Sequence, residues 1–190
     1  MNDEMLDAAE KLIGHQFEDR PLLRRALTHA SLTDDRLDSN ERLEFLGDAV
    51  LGMVVCEYLH DRFPELLEGE MTKVKSMVVS RRVCAELADE MGLGGALMLG
   101  KGMASRQTLP TSVAAAVYES VVGAVYVDSG LKAARDLILR GLEERIRQAG
   151  ASGHHSNFKS VLQQIAQQVF NMTPTYALLD EQGPDHAKCF

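Results

Sequence analysis

Residues 113–127, VAAAVYESVVGAVYV, carry a single charge, Glu119. At helical spacing this segment is apolar all round, so it belongs inside a protein core. It is too short for the roughly 20 residues that span a bilayer. A helix buried on every side needs other helices packed around it, and the flanking sequence supplies them. Residues 3–13 show helical spacing of Met5, Leu6, Ala9, Leu12 and Ile13 and stop at Gly14. Pro21, with Asp19 upstream as cap, opens a helix through PLLRRALTHASL. Asn40 is placed to cap a helix that runs to about Arg62, before Pro64. Residues 70–91 read as one long helix stopped by Gly92, followed by a Gly-rich loop holding a short helical piece. Ser112 is placed to cap the apolar helix, DSG at 128–130 punctuates the chain, and residues 131–148 form one more amphipathic helix. The expectation to residue 148 is all-α, and 5% aromatic content without Trp predicts an aliphatic core.

Beyond that point the character changes. GASGHHS at 150–156 is small and polar, which predicts a linker between a domain over 1–149 and a second segment over 157–190. FKSVLQQIAQQVF is helical, whereas TPTYALLDE, QGPD and HAKCF predict strand, turn and the start of another strand, an α+β pattern. One helix and one and a half strands cannot bury a core alone, so the sequence is expected to stop inside a domain. Cys56, Cys84 and Cys189 lack disulfide or zinc spacing and predict buried free thiols in a reducing compartment. The acidic N-terminus does not fit a signal peptide, and the expectation is a soluble cytoplasmic protein with no membrane partner. The net charge of −8 excludes a broadly basic nucleic-acid binder. Any such contact needs a local basic patch, a divalent metal or a basic segment outside this sequence.

In NERLEFLGDAVLG, at 40–52, Glu41, Glu44 and Asp48 share one helical face at i, i+3 and i+7. Leu43, Phe45, Leu46, Ala49, Val50, Leu51, Val54 and Val55 cover nearly all the remaining circumference, which predicts a largely buried helix. Buried carboxylates are normally paired or metal-bound. Glu44 and Asp48 lie about 6 Å apart along the axis and can share metal ions, whereas Glu41 lies about 10 Å from Asp48 and fits a supporting role. If the two apolar helices pack together, Glu119 meets Glu44 and Asp48 in one cleft. Gly47, Ala114, Ala115 and Ala116 would permit the close approach. Oxygen-only ligands favour Mg²⁺, with Mn²⁺ as a substitute, and such clusters suit phosphoryl chemistry. Nothing makes His29 or His60 a ligand, and no nucleophilic triad, phosphate loop or site for a small-molecule cofactor is visible.

NERLEFLGDAVLG resembles the signature of the ribonuclease III family. LTHASL, GEMTKVKSMVVS and YESVVGAVYVDSG extend the likeness over residues 5–148, and the segment over 157–190 resembles the first half of a double-stranded RNA-binding domain. The resemblance implies an all-helical, homodimeric endonuclease that cleaves double-stranded RNA with Mg²⁺, leaves 5′-phosphate and 3′-hydroxyl ends, and works in rRNA and mRNA processing. It implies Asp48 and Glu119 as catalytic residues, Glu44, Asp48 and Glu119 as metal ligands, and Glu41 as support. Gln163, Pro184 and His186 would touch the RNA minor groove.

The likeness has two departures. The family places an Asp three residues before the second-motif Glu, and here that residue is Ala116. Water, Ser112, Ser120, or an acidic group near Glu68 and Glu70 are the candidates to compensate. The RNA-binding segment also lacks the last strand and the Lys-rich helix of that domain. Ala116 motivates an alternative, a non-catalytic or impaired dimeric RNA-binding protein on the same fold.

Overall fold

The computed structural model describes residues 2–104, 108–153 and 158–175. The chain divides into two compact units, Met1–Ala151 and Ser152–Phe190. Regular secondary structure among the described residues is helical, with one isolated parallel bridge between Thr28 and Met98.

The first unit is built from α1 (Asp3–Ile13), α2 (Arg20–Ala26), α3 (Glu41–Arg62), α4 (Glu68–Val78), α5 (Arg81–Glu90), the short α6 (Leu93–Ala96) and α7 (Lys101–Ala104), and α8 (Thr111–Gly153). The front half of α8 is the central element that its sequence demands: Val117, Tyr118, Val121, Val122, Ala124 and Val125 are all buried. Ser120, also buried, donates its hydroxyl to the carbonyls of Val117 and Ala26, which ties α8 to α2. Further along, Asp128 accepts hydrogen bonds from the Asp19 N–H at 2.9 Å and from His15 at 3.0 Å. Burial opposes ionisation there, but these bonds and the one from Ser129 outweigh it and hold the Asp128 carboxyl below its ordinary value. Gly130, at φ 78°, breaks the helical backbone inside α8, a conformation that L side chains rarely adopt.

α3 crosses α8 with backbone against backbone. A Cβ on Gly47 would lie 1.8 Å from the Glu119 carbonyl oxygen, and one on Gly123 would lie 2.3 Å from that of Leu43. These two glycines, one from each helix, therefore set the crossing distance. Gly47 was expected to permit close approach, whereas Gly123 was not singled out in the sequence.

Several boundaries differ from the expected ones. α2 ends at Ala26, because the following backbone turns away to bond Met98: the His29 N–H donates to Met98 and the Met98 N–H donates to Leu27. A 3₁₀ turn then covers Ala30–Leu32, capped by His29, and His60 pairs with Asp61 on the surface. The helix expected over 70–91 is two helices, because Ser80 adopts extended backbone and caps the N-terminus of α5. Asn40 occupies the N-cap position of α3 without capping it, and the Ser39 hydroxyl accepts from the Glu41 N–H instead. α8 continues through Gly153, into the segment expected as linker. Cys84 is the buried thiol that was expected, but Cys56 is exposed.

In the second unit α9 (Phe158–Phe170) forms as its sequence predicts. The expected strands lie outside the described residues, apart from 173–175, which have no regular structure. Among the described residues no helix is long and apolar enough to cross a membrane.

Candidate active site

The α3–α8 crossing brings Glu44, Asp48 and Glu119 to one open cleft of about 580 Å³, also lined by Glu41, Phe45, Val79, Arg81, Ser112, Ala115 and Ala116. Asp48 is exposed at its edge, and Glu44 and Glu119 are half-buried. Helical spacing on α3 supplies the first two, and the Gly47 contact sets Glu119 beside them because it touches the Glu119 backbone directly. Glu41 stands at the rim, tied to Arg36 by an ion pair. Distance along the helix separated Glu41 from the others in the sequence.

Charge crowding marks the cleft. Burial, reinforced by Asp48 and Glu44, pushes the Glu119 carboxyl up to about 7. Burial and the neighbouring Glu41 raise Glu44 as well. Cys84 lies close enough for its thiol and Glu119 to interact, while the thiol donates to the Val79 carbonyl oxygen at 3.8 Å. Burial and Glu119 push the thiol up to about 12, so at neutral pH it stays protonated and remains a donor. Arg81, which lines the cleft, was not singled out in the sequence, and Cys84 was expected only as a buried thiol; the placement of both follows from α5 starting afresh at Ser80. Of the expected compensators, Ser112 lines the cleft. Ser120 does not, because its hydroxyl is committed to Ala26 and Val117. Glu70 accepts from the Leu67 N–H and Glu68 from the Thr72 hydroxyl, away from the cleft.

The donor set fits a hard divalent cation: it is three carboxylates, none in an ion pair among the described residues, and Asp48 and Glu44 both raise the proton affinity of Glu119. As they stand, no three His, Cys, Asp or Glu side chains among the described residues form a group able to enclose one ion. Ala116 stands on the cleft wall where the resemblance implies a fourth carboxylate. Gln163, on α9 of the second unit, is half-buried. Pro184 and His186 lie outside the described residues.

Glu119 makes metal-free stability depend on pH. Its folded value of about 7 exceeds the ordinary 4.5, so between those limits the folded chain holds a proton that the unfolded chain releases. Stability from this group is complete below about pH 4.5 and is lost as pH rises through about 7. Melting curves in chelator at pH 5 and pH 7.5 are expected to show this loss, with a smaller one in Glu119→Gln. Parallel behaviour of the two proteins would contradict the assignment.

By fold the chain is a helical nuclease domain. It superposes on the nuclease domain of ribonuclease III from Campylobacter jejuni with a TM-score of 0.68 and 33% identity, over 75% of this chain and 97% of that one. In that protein a region involved in dimer formation is flexible. Residues 19–146 match the Ribonuclease-III-like family. Ribonuclease 3 of Rhodopirellula baltica is 46% identical over 97% of this chain and 70% of that protein, and Ribonuclease 3 of Nitratiruptor is 40% identical over 98% and 82%. The chain belongs to the ribonuclease III family of endonucleases.

Proposed function

We propose that this endonuclease hydrolyses phosphodiesters of double-stranded RNA with Mg²⁺ or Mn²⁺ at the cleft between α3 and α8, leaving 5′-phosphate and 3′-hydroxyl ends in rRNA and mRNA processing. The observation that carries this reading is the convergence of Glu44, Asp48 and Glu119, from two helices, on one cleft in a ribonuclease III fold. Glu44, Asp48 and Glu119 would hold the cation. When bound, it supplies polarisation of the phosphate and a lowered pKa for attacking water. Asp48 and Glu119 are the catalytic residues in this reading, and Glu41 supports them from the rim. In the second segment, read as part of a double-stranded RNA-binding domain over 157–190, Gln163, Pro184 and His186 contact the minor groove, where shape and 2′-hydroxyls are read more than sequence.

Incubation with a long RNA duplex across a wide range of Mg²⁺ and Mn²⁺ tests the reading. Short duplex products with 5′-phosphates are expected. An uncut duplex, with RNA binding intact, would favour the non-catalytic alternative that Ala116 motivates.

The working unit in this reading is a homodimer. α3 was expected to be buried nearly all round, yet Phe45 is 81% exposed. It borders an apolar groove of about 630 Å³ lined by Leu22, Leu37, Leu43, Leu46 and Val127. In a two-fold contact each Phe45 is buried once, at about 2 kcal/mol apiece, so Phe45→Asp is expected to weaken dimerisation by about 10³-fold or more. Light scattering at micromolar concentration checks this, and a wild-type monomer there would remove the dimer from the reading.

A further inference from the structure

Arg81 is the cation of the cleft. As the first residue of α5, just after the Ser80 cap, it lines the wall with Glu44, Asp48, Glu119 and Ala116. Its neighbour Arg82 is committed to Glu86 at 2.6 Å. Arg81 makes no hydrogen bond and no ion pair with any described residue and is exposed. Its charge nevertheless reaches the site, where it works against the burial and like-charge crowding that raise Glu44 and Glu119. A guanidinium facing three carboxylates without pairing to any keeps its donors available. Arg is suited to bind phosphate oxygens through two parallel N–H bonds.

With Glu41 neutralised by Arg36, three carboxylates against one guanidinium leave the cleft at a formal charge of −2. An Asp at position 116 would make it −3. A strand carrying its own negative phosphate meets less repulsion at this site than at one with four carboxylates.

The geometry points to Arg81 as a substrate-binding residue that holds the scissile phosphate of an RNA duplex against Glu44, Asp48 and Glu119, a positive charge that suits a cleft with Ala116 in place of a fourth carboxylate. This rests on the proposed function of the cleft. It also distinguishes Arg81 from Arg36, which is paired with Glu41.

The test uses Arg81→Ala and Arg81→Lys on the whole chain. Ala is a good helix former at this exposed position, and an unchanged melting temperature confirms the fold. The first measurement needs no metal: affinity for a short RNA duplex as a function of salt in chelator. One lost phosphate contact is expected to reduce the slope of log K against log salt by about one in Arg81→Ala, with Arg81→Lys retaining it. The second measurement is cleavage. Loss of one charge-stabilising donor is expected to lower kcat by about 10²-fold in Arg81→Ala, with partial recovery in Arg81→Lys. In an Ala116→Asp background the Arg81→Ala loss is expected to shrink, because the aspartate restores a metal ligand and closes the set. An unchanged salt slope overturns the inference whatever happens to kcat, as does an unchanged kcat in an active enzyme. If the wild type fails to cut at any metal concentration, the proposed function of the cleft fails instead, and the salt slope still reports on Arg81.

Discussion

Glu119→Gln is expected to reduce duplex cleavage by about 10³-fold or more while changing RNA affinity by less than about twofold. The substitution keeps the size of the side chain and removes only the charge. Of the three cleft carboxylates, Glu119 is the one that burial and its neighbours push furthest from its ordinary value, to about 7. It also comes from a different helix than Glu44 and Asp48, so without it one side of the site has no carboxylate. Losses of 10²–10³ follow removal of a single electrostatic stabiliser, and more when the group belongs to a unit acting together. Steady-state cleavage of a labelled duplex, alongside binding of the same duplex in chelator, checks both halves. Retained cleavage would place the chemistry elsewhere on the chain.

Gly47→Val is expected to have the largest effect on the fold itself. Even the first carbon of the new side chain falls 1.8 Å from the Glu119 carbonyl oxygen, a backbone atom that no rotamer change can move. Overpacking of well-filled cores typically destabilises by 1–3 kcal/mol, and this contact stands at or above the upper end, about 3 kcal/mol or more. For a chain of this size that corresponds to a melting point lower by about 10 °C. Cleavage should fall even where the variant remains folded, since the helices can separate only by carrying Glu119 away from Glu44 and Asp48. Thermal unfolding by circular dichroism and cleavage at a low temperature test the two effects separately. A variant with native stability would mean that α3 and α8 do not meet backbone to backbone.

How much of this was legible beforehand differs from residue to residue. Glu44, Asp48 and Glu119 could be found because each violates its surroundings, a charge in an apolar helix, and such violations survive without knowledge of tertiary structure. Gly47 was legible for the same reason, as a small residue in a helix built of large ones. Phe45 could be read only as part of a core or a dimer contact, because periodicity reports which face is apolar and is silent on whether this chain or a partner covers it; in this chain it is exposed. Arg81 was missed, and Cys84 was read only as a buried thiol, because a continuous helix was expected over residues 70–91. The restart at Ser80 changes the direction in which every later residue points. The RNA contacts proposed for Gln163, Pro184 and His186 rest on resemblance alone.

That restart at Ser80 has a consequence for how the sequence can drift. In an unbroken helix, inserting one residue rotates everything downstream by about 100° and turns a buried stripe outward. Here the phase is reset: Val74 and Val78 fix the inward stripe of α4, whereas Val83, Cys84, Leu87 and Ala88 fix that of α5 from their own cap. The two stripes are thus independent clocks. Length changes at the joint can be absorbed there, while the wall of the cleft keeps time only with the residues that follow Ser80.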